Sequence, residues 1–175
     1  MAKQPELFDS EIFKDLMNHN ETVLRICLGF SKNPWDAEEL TQEVYLKAYR
    51  KISALHNSNL SREWLFRIAR NTCLDHIKKK RLNRLFQFKS NKEAVEQNTP
   101  ELQIMKNEQH QILKNAISQL PKKQKEVFVL KEYGYLSYKE IASTLGIKEG
   151  TVMSRLNRAR QTLINQLKGI QNEQG

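Results

Sequence analysis

The sequence predicts an all-α protein made of two small helical modules joined by a basic linker. Three observations carry this reading. Apolar residues recur mostly at helical spacing, and no run alternates for long as a half-buried strand would. Glycine (6) and proline (4) are scarce in the 175 residues and fall where helices would start or stop. Charge is laid out in blocks. Residues 1–60 carry seven Lys/Arg against nine Asp/Glu, residues 61–92 ten against two, residues 93–145 seven against seven, and residues 146–175 five against two. The positive charge is thus concentrated at the end of one segment and in the last segment, as expected of two units with different partners.

The elements follow in order. A first helix is predicted from Ser10 to Phe30, broken by Ser31-Lys32-Asn33-Pro34-Trp35. A second starts at Asp36, an N-cap residue with Glu39 three positions on, and runs to Ile52. Residues 53–60 (SALHNSNL) read as a polar loop, and Ser61 caps a long third helix ending near Leu82. Residues 83–98 lack sustained periodicity and read as the linker. Thr99-Pro100-Glu101 restarts helix with an N-cap, a proline at the first position and an acid in the first turn; it continues to Gln119. Leu120-Pro121 opens another helix, ended by Gly134. Ser137 and Glu140 form a capping box for a short one, stopped by Gly146, and a last helix spans Glu149 to Leu167. The modules are therefore 8–82 and 99–168, each near the lower size limit for its own core.

Composition narrows the function classes. A net charge of +9 suits a polyanionic partner, although basicity alone is not specific. Two cysteines, Cys27 and Cys73, far apart in sequence, argue against a disulfide framework and for a reducing cytosol, with each a small buried residue. His19, His56, His76 and His110 form no ligand pattern with them, so neither a metal nor a cofactor is expected. The start MAKQPELFDS has no apolar run behind Lys3, and no stretch of about 18 apolar residues occurs, so a cytoplasmic chain without membrane insertion is expected. Paired acids with a nearby His, metal-ligand spacing and a glycine-rich phosphate loop are all lacking, which points away from an enzyme.

The sharpest local pattern is Ser137 to Leu163, SYKEIASTLGIKEGTVMSRLNRARQTL. A helix-turn-helix needs a short helix, a tight turn and a second helix able to enter the major groove. Ile141, Ala142 and Leu145 supply the inner face of the first, Gly146 the left-handed turn, and Val152, Leu156, Ala159 and Leu163 the buried stripe of the second. The opposite face shows Thr151, Met153, Ser154, Asn157 and Arg158, with Arg155 at its flank. Asn can read adenine and Arg guanine, while Thr and Ser suit phosphates. A solvated polar face on a plain helical hairpin is the competing account.

In the first module, the helix from Asp36 buries Ala37, Leu40, Val44 and Ala48. It is expected to expose Glu38, Glu39, Gln42, Glu43, Leu46 and Tyr49. Two readings fit that face: acids placed to complement the helix dipole, or a protein-docking face with an acidic edge. The helix from Ser61 mixes Trp64 and Phe66 with Arg62, Arg67 and Arg70 and ends in Lys78-Lys79-Lys80-Arg81. Cations can follow a phosphate backbone, and aromatics can stack on unstacked bases. For Trp64, Leu65 and Ile68 core packing is the favoured account.

Three segments in order resemble the extracytoplasmic-function sigma factors of bacterial RNA polymerase. DAEELTQEVYLKAYRKI (36–52) resembles the family's core-polymerase-binding helix, and WLFRIARNTCLDHIKKKR (64–81) its promoter-melting and minus-ten helix. Residues 120–163 resemble its minus-thirty-five module. The resemblance implies a transcription initiation factor whose partners are core RNA polymerase, promoter DNA and, as in many members, an anti-sigma protein. It implies that Glu39, Gln42, Glu43 and Tyr45 meet the polymerase clamp helices and that Phe128 helps dock on the flap. The loop His56, Asn57, Ser58, Asn59 would hold a flipped base, with Arg70, Asn71, Lys78 and Lys79 along the minus-ten DNA. Thr151, Met153, Ser154, Arg155, Asn157 and Arg158 would face the minus-thirty-five element. Residues 83–92 would thread into polymerase. Lys125 and Met153 depart from the family pattern, where Arg, and Lys or Arg, are frequent. A helix-turn-helix regulator that never joins polymerase is the alternative, and it would have no use for the acidic face of residues 36–52.

Overall fold

The computed structural model describes residues 11–52, 61–89 and 108–173. Eight helices occupy these segments, with no strand among the described residues: α1 (Glu11–Met17), α2 (Asn20–Ser31), α3 (Pro34–Lys51), α4 (Ser61–Lys89), α5 (Glu108–Gln119), α6 (Lys122–Glu132), α7 (Tyr138–Leu145) and α8 (Glu149–Glu173). The all-α class holds.

Four boundaries differ from the sequence reading, each for a local reason. The single helix expected from Ser10 to Phe30 is two. The chain tightens at Asn18 and His19, whose N–H groups donate to the carbonyls of Asp15 and Leu16 at 3.1 Å. Asn offers the backbone competing hydrogen bonds, so Met17-Asn18-His19-Asn20 is a weak place to continue a helix. The N-cap of α3 is Asn33, not Asp36: its side chain accepts from the Trp35 N–H at 3.0 Å and Pro34 takes the first helical position. The segment read as a breaker is therefore a start signal, and Asp36 lies in the first turn. Helix α4 continues past Leu82 to Lys89, because NRLFQFK contains neither Gly nor Pro and includes good helix formers. The first part of the expected linker is thus helix, and 90–98 lies outside the described residues. Helix α8 runs past Leu167 to Glu173, continuing through Gly169. The loop 53–60 and the predicted helix start at Thr99 also lie outside the described residues.

Helices α2, α3 and α4 pack mutually, with α1 across α4, while α5, α6 and α7 pack on α8. These two groups are themselves docked, α4 on α7 and α2 on α6. One buried apolar cluster runs through both, joining Val23, Ile26, Phe30, Val44, Leu65 and Phe66 to Val127, Val129, Leu130, Ile141 and Leu156. A smaller one, Ala116, Ile117, Leu120, Ala159 and Leu163, seals α5 to α8. The docking is close at Gly29 of α2, where a Cβ would lie 2.7 Å from Val129 Cγ1 and 2.8 Å from Tyr133 Cγ. Only a residue without a side chain lets α2 and α6 meet at this separation.

Candidate nucleic-acid interface

The α7–α8 unit is built from its caps outward. Ser137 accepts the Glu140 N–H at 3.2 Å, and the Glu140 carboxylate accepts the Ser137 N–H at 2.7 Å, the reciprocal box read from the sequence. Gly146 closes α7 with φ 65°, a conformation that glycine adopts without penalty, and donates to the Ala142 carbonyl. Val152, Leu156, Ala159 and Leu163 are buried, which fixes the rotation of α8. That rotation leaves Met153, Ser154, Asn157 and Arg158 exposed and Thr151 and Arg155 half-buried. The Ser154 hydroxyl turns back to the Thr151 carbonyl at 3.1 Å. Among the described residues, nothing covers the exposed part of the face expected to meet DNA.

The basic face of α4 is different. Arg70 Nη2 donates to Glu126 Oε2 of α6 at 2.8 Å, and Glu126 is 3% exposed. Arg67 donates to the carbonyls of Ser143 and Thr144, at 2.8 and 3.1 Å, where α7 ends and its last carbonyls lack helical partners. Arg62 pairs with Glu140 at 2.8 Å. Burial works against ionisation of Glu140, but the Ser137 donors and Arg62 hold its carboxyl below the usual range. From α2, Arg25 donates to the Tyr133 carbonyl at 3.1 Å and lies over the Tyr135 ring. Four arginines of the N-terminal helices thus reach into the C-terminal group. Asn71 is exposed and accepts from Arg70 at 2.7 Å; Lys78 is exposed, 3.7 Å from Asp75, and Lys79 is exposed. His56, Asn57, Ser58 and Asn59 lie outside the described residues.

On α3, Glu39, Gln42 and Glu43 are exposed, and Glu43 pairs with Lys47 at 2.7 Å. Tyr45 is half-buried, its hydroxyl donating to the Leu16 carbonyl at 3.0 Å and its ring edge-on to Phe13; burial pushes its phenol well up. Phe128 is half-buried against both apolar clusters. Among the described residues no group of His, Cys, Asp and Glu could hold a metal ion, and no helix is long and apolar enough to cross a membrane.

Sequence reasoning missed Glu126 and the cysteine pair. Glu126 sits among Lys123, Lys125 and Lys131 and reads as an ordinary surface acid; its burial depends on α6 docking against α4. Cys27 and Cys73 are both fully buried, with their Sγ atoms 3.7 Å apart across α2 and α4. Each occupies the apolar stripe of its helix, but nothing in either stripe indicates that they face each other.

Comparison with known proteins gives this arrangement a family. A sigma-70 region 2 model matches residues 16–82 and a sigma-70 region 4 model matches residues 110–163. The ECF RNA polymerase sigma factor SigW of Bacillus subtilis (strain 168) is 30% identical over 96% of this chain and 95% of its own. The chain belongs to the extracytoplasmic-function sigma factors. As a sigma factor it binds core RNA polymerase and directs it to promoter DNA, and the regulator that acts without polymerase is not favoured. Sigma factors are transcription factors rather than enzymes. The sigma-E factor of Escherichia coli (strain K12) is 30% identical over 77% of this chain and 75% of that one. A solved relative, the sigma factor RpoE in complex with the anti-sigma factor NepR from Bartonella quintana, superposes with a TM-score of 0.64. It is 27% identical and covers 89% of this chain and 95% of that one.

Proposed function

We propose that this sigma factor reads the minus-thirty-five element with the exposed face of α8, namely Thr151, Met153, Ser154, Arg155, Asn157 and Arg158. It meets minus-ten DNA with Arg70, Asn71, Lys78, Lys79 and the 56–59 loop. Glu39, Gln42, Glu43 and Tyr45 of α3, with Phe128, engage polymerase. Residues 8–82 and 99–168 serve as the two working modules, in the cytoplasm, where promoters and polymerase are. The supporting observation is the contrast between the two basic faces. On α8, Met153, Ser154, Asn157 and Arg158 are exposed, while Arg70 is paired with a buried carboxylate of the other module. Docking therefore leaves minus-thirty-five reading open and withholds an arginine from the minus-ten DNA until the modules part. An anti-sigma protein is a natural further partner, since the RpoE relative was solved bound to one.

Arg158 tests the first assignment. If its guanidinium reads a base bidentately, Arg158→Ala costs about 1–3 kcal/mol of minus-thirty-five binding and relaxes preference at one base pair. A phosphate-only contact instead lowers affinity evenly across sequences and flattens the salt dependence. Fluorescence anisotropy on single-base variants at two salt concentrations separates the two. Unchanged affinity and selectivity would remove Arg158 from the DNA face.

A further inference from the structure

We propose that the cleft between the C-terminal end of α2, the distal half of α4 and the start of α6 binds a compact polyphosphate group, free or carried on a nucleotide, and that its occupant clasps the two modules shut. The cleft has a volume of 510 Å³ and is lined by Lys32, Lys80, Arg81, Arg84 and Lys125. A second space of 350 Å³ shares Arg81 and Lys125 with it and adds Lys78 and Lys122. Among the described residues no carboxylate lines either one. Asp36, the ion-pair partner of the lining residue Lys80, also has His76 Nε2 3.8 Å away. Among the described residues, Lys32, Arg81, Arg84 and Lys125 have no carboxylate at ion-pair distance.

Surface lysines and arginines normally swing apart into water. Lys32 and Lys125, both half-buried, have less of that freedom. Lys32 occupies the left-handed cap that ends α2, with φ 64°, so the turn into α3 fixes its backbone. Arg81 and Arg84, three positions apart, share one edge of α4. Lys125 is carried in by α6: its Nζ donates to the Phe30 carbonyl at 3.4 Å and lies 5.7 Å from the Phe30 ring centre. Burial, with the charge of Lys32, pushes the Lys125 ammonium down to about 8, and burial, with Arg84, lowers Lys32. The fold holds like charges together in a partly dry space with no counter-charge among the described residues, an arrangement that an anion relieves.

The ligand class follows from the donors. Several cations converge on one space of the volume usual for small-ligand sites, about 300–1,000 Å³. Guanidinium groups match phosphate oxygens as forks and ammonium groups as point charges. A single phosphate could neutralise two or three of these groups; a chain of phosphates spans them. The cations come from both sides, Lys32, Arg81 and Arg84 from one module and Lys122 and Lys125 from the other. A bound polyphosphate therefore supplies a counter-charge that neither module meets when they are apart, and it favours the docked form. This inference does not depend on the residue roles assigned above.

The test is calorimetric titration of the full chain at fixed ionic strength with sodium tripolyphosphate, ATP and AMP. One saturable site per chain is expected, with AMP at least tenfold weaker than ATP. Saturation by tripolyphosphate identifies the free polyphosphate as sufficient. Saturation by ATP alone identifies a nucleotide, with Leu85 at the cleft rim beside its ring. Lys32→Asn with Lys125→Gln should weaken binding at least tenfold, and Lys148→Gln, outside the cleft, should leave it unchanged. Arg84→Gln, on the exposed rim, serves if the double variant fails to fold. Tripolyphosphate should also weaken association with core polymerase for the native protein and not for the double variant. Absence of saturation, or equal losses from Lys148→Gln and Lys125→Gln, would show only a diffuse cationic surface and overturn the site. Polymerase binding affected equally in both proteins would overturn the clasp.

Discussion

Lys125 ties protonation to folding. Its ammonium is held down to about 8 in the folded chain, against 10.5 for an ordinary lysine, by burial and by the Lys32 charge. Below about 8 both states are protonated and the folded state carries the burial penalty. Between about 8 and 10.5 the unfolded chain binds more protons than the folded one, so stability rises with pH in that window. Urea denaturation of the native protein and Lys125→Gln across pH 7 to 10.5 should show the native curve gaining on the variant. Parallel curves would mean that the ammonium is fully hydrated. The other informative residues divide by how local their signal is. Ser137, Glu140, Gly146 and the α8 stripe were legible because a cap, a turn and a helical period are written within a few positions. The pairing of Cys27 with Cys73, and of Arg70 with Glu126, depends on which helices dock, and no spacing along one helix encodes that.

Helix α2 owes its contact with α6 to Gly29. In an exposed helix interior, Gly→Ala gains about 1 kcal/mol of helix propensity. Here the new methyl would meet Val129 and Tyr133 well inside contact distance, and overpacking of this kind costs about 1–3 kcal/mol. Gly29→Ala should therefore leave the N-terminal helices intact and loosen the docking, visible as a larger radius of gyration in small-angle scattering. An unchanged radius would show that Val129 and Tyr133 yield. Helix α3 offers the converse case, a face where Glu39 and Gln42 are exposed and Glu43 pairs within the helix with Lys47. Glu39→Lys with Glu43→Lys should lower association with core polymerase at least tenfold while shifting stability by less than about 1 kcal/mol, because exposed pairs such as Glu43–Lys47 contribute little. A pull-down with undiminished recovery would clear this face of the role. At this scale the sequence located the helical segments within the described residues but merged α1 and α2 into one. It misplaced ends where Asn acted as a starter rather than a breaker and where a run without Gly or Pro simply continued as helix.

Across the whole chain, the apolar core does not stop at the boundary between modules. Both tryptophans, Trp35 and Trp64, lie in the N-terminal helices, so their fluorescence reports that half alone, whereas far-ultraviolet circular dichroism reports all eight helices. If the shared core makes one cooperative unit, the two probes give coincident urea transitions. Two separated transitions would mean that the modules dock as finished bodies and melt independently. Two segments, each with its own caps and stripes, were readable in advance. Their closed arrangement was not, because the contacts that make it join Arg62, Arg67 and Arg70 to partners some 60 to 80 positions away.

The arginine bridges have a further consequence, because they link parts of one polypeptide. Docking is then governed by effective concentration, which for tethered partners is on the order of millimolar. At that concentration, halves that bound each other with a dissociation constant of only about 0.1 mM as separate chains would be closed roughly ten times out of eleven. Reopening them would require about 1.4 kcal/mol from a competing partner, the equivalent of one tenfold step in affinity. A seam of that strength would hold when the protein is alone and give way when polymerase binds. Its closure is also independent of how many copies the cell contains, so the fraction held shut does not change as the factor accumulates.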